Sequence, residues 1–160
     1  MARSAGSLSW HGTRPHALRA YLASMAAINM VWEALHLPLY TIWQNGTPRA
    51  QAFAVVHCSM GDVLIALSAL TLALLVAGDP AWPHRRFRRV AMLAIVFGLA
   101  YTIFSEWLNV EVRGSWAYSQ LMPVVNVSEL RIGLSPLMQW IVVPILAFVI
   151  TRRLAGPARR

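Results

Sequence analysis

Four apolar stretches alternate with polar, turn-rich segments along the chain. This pattern predicts membrane-spanning helices over about residues 18–43, 53–77, 90–109 and 134–151. At a rise of about 1.5 Å per residue, roughly 20 residues are enough to cross a hydrocarbon core of about 30 Å. The short connections after the first two spans favour antiparallel neighbours. We therefore predict an all-α, integral membrane four-helix bundle with up-down-up-down connectivity, forming one domain over residues 18–154.

The arginines indicate how this bundle is oriented. Eleven of the fourteen basic Lys and Arg positions, all of them arginine, fall on one side of the four spans. Cytoplasmic loops are enriched in basic residues, so both termini are predicted to be cytoplasmic, with residues 1–17 and 155–160 as tails. The two groups are Arg3, Arg14, Arg19, Arg85, Arg86, Arg88, Arg89, Arg152, Arg153, Arg159 and Arg160 on the inner side, and Arg49, Arg113 and Arg131 on the outer.

Composition supports a membrane protein and argues against a nucleic-acid-binding one. Hydrophobic residues make up 58% of the chain and charged residues only 12%. The positive charge lies in short clusters beside apolar runs, which is typical of topology signals. The expected partner is therefore the lipid bilayer, with no nucleic acid. Cys58 is the single cysteine, so no intrachain disulfide can form.

The first span carries a polar stripe, although it lies within an apolar run. Asn29, Glu33, His36 and Tyr40 are spaced by four, three and four residues, which places them on one face of a helix. A carboxylate at mid-bilayer costs about 2.5–3.5 kcal/mol on insertion scales, so it normally has a partner. The stripe is therefore expected to face the other helices.

The other three spans carry polar residues at a similar depth. The second has His57 and Asp62, the third ends with Glu106 and Asn109, and the fourth carries Gln139 in its first turns. All of them fall in the outer half of the bilayer, and Gly61 is expected to allow close helix approach. We predict one polar cavity that opens outward and is sealed towards the cytoplasm. The predicted ligand-binding residues are Asn29, Tyr40, Asp62, Asn109 and Gln139.

Three functions are compatible with these residues. The first is a membrane subunit or a protein that binds a small, lipid-like molecule or a membrane partner protein; in the subunit case Glu33 and His36 simply hold helices together. The second is an acid/base enzyme acting on a lipid or isoprenoid, with Glu33, His36 and Glu106 as catalytic groups. The third is a metal or haem site using His36 and His57. Glu33 and His36 fit the Glu-x-x-His spacing of di-iron bundles, but the chain has no second copy of it.

The second half of the chain carries a set of short motifs, namely Ser105–Asn109, Arg113, Trp116–Ser119, Met122–Pro123, Gly133–Pro136 and Gln139–Trp140. In these motifs it resembles a group of small, uncharacterised proteobacterial four-span inner-membrane proteins. The resemblance implies a multi-pass protein of the bacterial inner membrane and supplies no activity or cofactor. The layout, with His and Glu on the first span, is also loosely similar to the EXPERA-type sterol isomerases, but the order of the pair and the second-span motif differ.

Overall fold

The computed structural model describes residues 10–127 and 130–156. Most of this chain is helical, and three helical segments are long and apolar enough to cross a membrane, which fits a membrane protein. The α-helices are α1 Trp10–His36, α2 Ile42–Asn45, α3 Pro48–Ala77, α4 Phe87–Glu106 and α5 Leu134–Ala155. The three apolar segments are α3, α4 together with its extension to Val112, and α5.

Helix α1 is 27 residues long but is not one of the three apolar segments. Its polar stripe lowers its hydropathy, because Asn29 and Glu33 interrupt the apolar sequence. It packs against α3 and α5, while α4 packs against the same two helices. Each of the four long helices therefore contacts two others, and the core between them is apolar. Its most buried side chains include Tyr21, Met25, Leu70, Val90, Val143 and Phe148.

The boundaries of the first predicted span need correction. Helix α1 is already formed by Trp10, and Ala17 is buried, so residues 10–17 are not a polar tail. The rest of that predicted tail, residues 1–9, lies outside the described residues, as do residues 157–160. At the other end α1 stops at His36 instead of continuing to Trp43. Pro38 lacks a backbone N–H, and the chain passes there into a short 3₁₀ helix, Leu37–Leu39.

Helix α3 begins earlier than predicted because its first turn is capped. The Thr47 hydroxyl accepts a hydrogen bond from the Ala50 N–H at 3.2 Å, and Pro48 occupies the first helical position. Both features are favourable at a helix start. The helix ends at Ala77, where the second span was predicted to end.

The segment predicted as a loop, residues 110–133, is partly ordered. Helix α4 continues as a π-helix over Trp107–Val112. An antiparallel hairpin follows, formed by β1 Val124–Val127 and β2 Leu130–Gly133, with Val124 opposite Gly133. The all-α prediction is therefore wrong in this detail. Each strand has only four residues, which is too short for an alternating pattern to stand out.

Close helix approach occurs at a glycine other than the predicted one. A Cβ placed at Gly61 would have no described atom within 4 Å, apart from its chain neighbours and the backbone of its own helix. This position therefore does not mediate close helix approach. At Gly98, by contrast, a Cβ would lie 2.2 Å from two ring atoms of Trp140. The missing side chain at Gly98 is what lets the Trp140 indole pack between α4 and α5.

Candidate functional site

The side-chain amide of Gln139 is the centre of a buried polar cluster. Its Nε2 atom lies 2.9 Å from Asn29 Oδ1, 2.9 Å from Glu33 Oε1 and 3.0 Å from Asp62 Oδ2. All four side chains are buried. An amide nitrogen carries two hydrogens, so these three oxygens share two donors. The cluster joins α1, α3 and α5, as the depths of the polar residues predicted.

Glu33 and Asp62 are consequently close neighbours, because each has an oxygen within hydrogen-bonding distance of the same nitrogen. Two negative charges so close together in a poorly hydrated interior repel each other, and neither is compensated by the neutral amide. The arrangement favours a proton or another positive group near this pair.

His36 connects this cluster to the start of α5. Its Nε2 lies 3.1 Å from Glu33 Oε2, and its Nδ1 lies 2.9 Å from Ser135 Oγ. The Trp32 indole N–H donates to the same Ser135 oxygen at 3.3 Å. The Glu33 carboxylate can only accept, so the Nε2–H of His36 donates to it. Nδ1 of a neutral imidazole then accepts from the Ser135 hydroxyl.

Glu106 lies on the α4 side of the site and is held by Tyr118. The Tyr118 hydroxyl donates to Glu106 Oε2 and accepts a hydrogen bond from the Gly133 N–H at 2.9 Å. Burial and the adjacent Glu106 charge raise the pKa of Tyr118 above its ordinary value, so the phenol stays protonated as a donor. The Tyr40 ring contacts the rings of both His36 and Tyr118, with centroid distances of 5.3 Å and 5.7 Å.

A cavity of about 950 Å³ runs between these groups. Along α3 its lining extends from Ala50 to Leu72, a distance of about 30 Å at the helical rise. One part is polar and contains Glu33, His36, Asp62, Glu106 and Gln139. The other part is an apolar wall, which we define as Leu64, Ile65, Ala69 and Leu72 of α3 with Phe97 of α4. Leu64 and Leu72 are also exposed on the outer surface of α3, so this wall reaches the surface of the helices.

Most of the predicted site residues line this cavity. Two do not. Asn29 lies behind the lining and contacts Gln139, whereas Asn109 donates its amide hydrogens to the Ser105 carbonyl at 2.9 Å and to its hydroxyl. Tyr118 was not predicted, since it lies in a loop with no periodic pattern. The predicted residues that do line the cavity are Glu33, His36, Tyr40, His57, Asp62, Glu106 and Gln139.

The second histidine is placed differently from the first. The His57 ring stacks on Phe53 with a centroid distance of 5.4 Å. In the part of the chain that the structure describes, no three His, Cys, Asp or Glu side chains are grouped so that they could hold a metal ion. The metal prediction based on His36 and His57 therefore gains no third ligand from these residues.

Two of the predicted functions, the acid/base enzyme and the binding of a lipid-like molecule, are compatible with this geometry. An acid/base pair, Glu33 with His36, lies in contact at the cavity wall, and Glu106 lines the same cavity. The polar cluster around Gln139 and the apolar wall line the same cavity. Comparisons with protein-family models, curated proteins and solved structures found no match, so the function has to be inferred from this geometry.

Proposed function

We propose that this chain is a multi-pass protein of the bacterial inner membrane that binds a lipid-like, amphipathic small molecule in the cavity. The observation that carries the proposal is the division of one cavity into a buried polar cluster around Gln139 and an apolar wall on α3 and α4. A volume of about 950 Å³ lies at the upper end of the range typical of small-molecule sites. The polar end would hold the head of the ligand and the apolar wall its chain.

The same proposal includes the arrangement in the membrane. Helix α1 serves as the fourth span, because it packs against α3 and α5 and its costly polar groups are hydrogen-bonded to α5. Four spans then run up-down-up-down with both termini in the cytoplasm, and the end of the cavity lined by the exposed Asn45 faces outward. The exposed arginines before and within the first turn of α4 lie on the cytoplasmic side.

Thiol labelling tests this orientation. In a Cys58→Ala background, the exposed positions Asn45→Cys and Arg88→Cys place single thiols at opposite ends of the helices. We expect a membrane-impermeant maleimide to label Asn45→Cys on intact cells and Arg88→Cys only after the membrane is permeabilised. The reverse pattern would overturn the proposed orientation, and labelling of both positions on intact cells would overturn the four-span arrangement.

The polar end must provide most of the binding free energy. A ligand chain that leaves lipid for the apolar wall exchanges one hydrocarbon environment for another, so its transfer contributes little. A polar head, in contrast, gains hydrogen bonds and charge interactions that the bilayer interior does not offer. Selectivity is therefore expected to depend on the head and much less on chain length.

Blocking the cavity at Gly61 tests ligand binding. Gly61 lines the cavity, and a Cβ placed there would meet no neighbour within 4 Å, so we expect the ring of Gly61→Phe to occupy cavity space. In nanodiscs, we expect the wild-type protein to bind at least one of dodecylamine, dodecanol and dodecyl phosphate saturably, with about one molecule per chain. Gly61→Phe is expected to lower the affinity at least tenfold.

The assay is equilibrium dialysis of the radiolabelled probes, with empty nanodiscs as the partition background. Gly61→Ala is the matched control and should bind like the wild type, because a methyl group there meets no neighbour within 4 Å. The proposal fails if none of the three probes binds saturably to the wild type, or if Gly61→Phe binds as well as Gly61→Ala.

An acid/base enzyme is the second candidate, and the 3.1 Å contact between Glu33 and His36 favours it. It would use the same cavity, so ligand binding is a precondition for it. A Glu33→Gln variant that folds and binds but no longer converts a bound ligand would support the enzyme. Unchanged conversion by that variant would count against it.

A further inference from the structure

The cavity is unbalanced in charge. Three carboxyl groups line it, those of Glu33, Asp62 and Glu106. Among the described lining residues there is no arginine, and the only basic side chains are His36 and His57. The imbalance is notable because the chain as a whole carries a net charge of +8. An anionic head would therefore meet carboxyl groups with no fixed cation beside it.

The carboxyl groups are only partly compensated by the protein itself. Glu33 is in contact with His36. Neither Asp62 nor Glu106 forms an ion pair with a described residue: Asp62 has the neutral amide of Gln139, and Glu106 has the neutral phenol of Tyr118. Buried carboxylates are normally paired with a cation or protonated. A cation from outside the chain would supply the missing charge.

Aromatic rings surround the same space. Their π faces attract a positively charged group within about 6 Å, and the attraction is larger where water is excluded. Ammonium groups are recognised in this way by combinations of aromatic rings and carboxylates. The aromatic side chains that line the cavity are Tyr40, Phe53, Tyr101, Trp116 and Trp140.

We infer that the ligand is a lipophilic cation, with a basic amine or ammonium head near Asp62 and Glu106 and an apolar chain along the α3–α4 wall. The inference rests on the proposed function and narrows it to one ligand class. A protonated primary amine can donate up to three hydrogen bonds, which suits a site lined by three carboxyl groups. A phosphate head has acceptors only and a charge of the wrong sign.

The three dodecyl probes test the cationic ligand separately from the amphipathic binding site, because they differ only in the polar head group. An alkylamine is protonated at pH 7. In nanodiscs of zwitterionic lipid we expect dodecylamine to bind at least tenfold more tightly than dodecanol, and dodecyl phosphate not to bind saturably. Asp62→Asn and Glu106→Gln should each reduce the preference for the amine over the alcohol several-fold, as the loss of one carboxylate predicts. Thermal unfolding of each variant checks that it is folded.

Glu111→Gln is the matched control, since Glu111 is exposed and does not line the cavity. It should leave the preference unchanged. Equal binding of dodecanol and dodecylamine, or tighter binding of dodecyl phosphate, overturns the cationic ligand while leaving the amphipathic site in place. Failure of all three probes overturns the amphipathic site itself. An amine preference that Asp62→Asn and Glu106→Gln leave intact would also contradict the inference.

Discussion

Replacing Gln139 with leucine is expected to lower the free energy of unfolding by about 3 kcal/mol. The substitution removes the one amide that donates to oxygens of Asn29, Glu33 and Asp62. Leucine fills a similar volume, so the cost comes from the three buried acceptor oxygens that lose their shared donor. The loss should appear as destabilisation of the contacts that α5 makes with α1 and α3.

Reversible unfolding of the protein in mixed micelles measures this effect. Met138→Leu is the matched control, because Met138 is the preceding residue on α5 and is exposed. It should change the free energy of unfolding by less than about 0.5 kcal/mol. A single interhelical hydrogen bond in a membrane protein contributes about 0.6 kcal/mol on average. If Gln139→Leu lowers the free energy of unfolding by no more than this amount, the three oxygens find other partners and Gln139 does not organise the site.

Gly98→Ala is expected to cost about 1–3 kcal/mol, as overpacking in a close-packed core does. The new methyl group would lie 2.2 Å from two carbons of the Trp140 ring, which is 2% exposed and has little room to move. Because Trp140 also lines the cavity, its displacement should weaken ligand binding as well as stability.

The control for this substitution is Gly61→Ala, the same change at a helical glycine with no close neighbour. Removing the flexibility of Gly61 should stabilise α3 slightly, by about 0.5–1 kcal/mol. The same unfolding measurement compares the two variants. If Gly98→Ala proves as stable as Gly61→Ala, the close seating of Trp140 against α4 is wrong.

The residues of the central cluster could be predicted from the sequence because lipid restricts where polar side chains can go. Glu33, Asp62 and Gln139 were predicted on different spans at similar depth, and a bilayer would offer them no partner except one another. Helical periodicity placed Glu33 and His36 on one face. Neither argument depends on loop conformation. The structure contains both contacts, Glu33 with His36 and Gln139 with the two carboxyl groups.

The parts of the site that the sequence did not predict depend on irregular backbone. Asn109 was expected to face the cavity with Glu106, but α4 changes to a π-helix at Trp107. The wider turn alters the angle between successive residues, so Asn109 contacts Ser105 instead of facing the cavity beside Glu106. Tyr118 reaches Glu106 from a loop whose path depends on the β1–β2 hairpin and on its pairing with Tyr40. No local pattern encodes such a contact.

Photolabelling locates the bound chain of the ligand within the protein. The probe is the dodecyl compound that binds most tightly, carrying a diazirine at the end of its chain, and the labelled residues are mapped by mass spectrometry of peptides from the protein in nanodiscs. We expect labelling on Leu64, Leu72 and Phe97, and its loss when the unlabelled compound is added in excess. Labelling confined to exposed residues away from the cavity, such as Leu75 and Met92, and unchanged by the competitor would contradict a ligand site in this cavity.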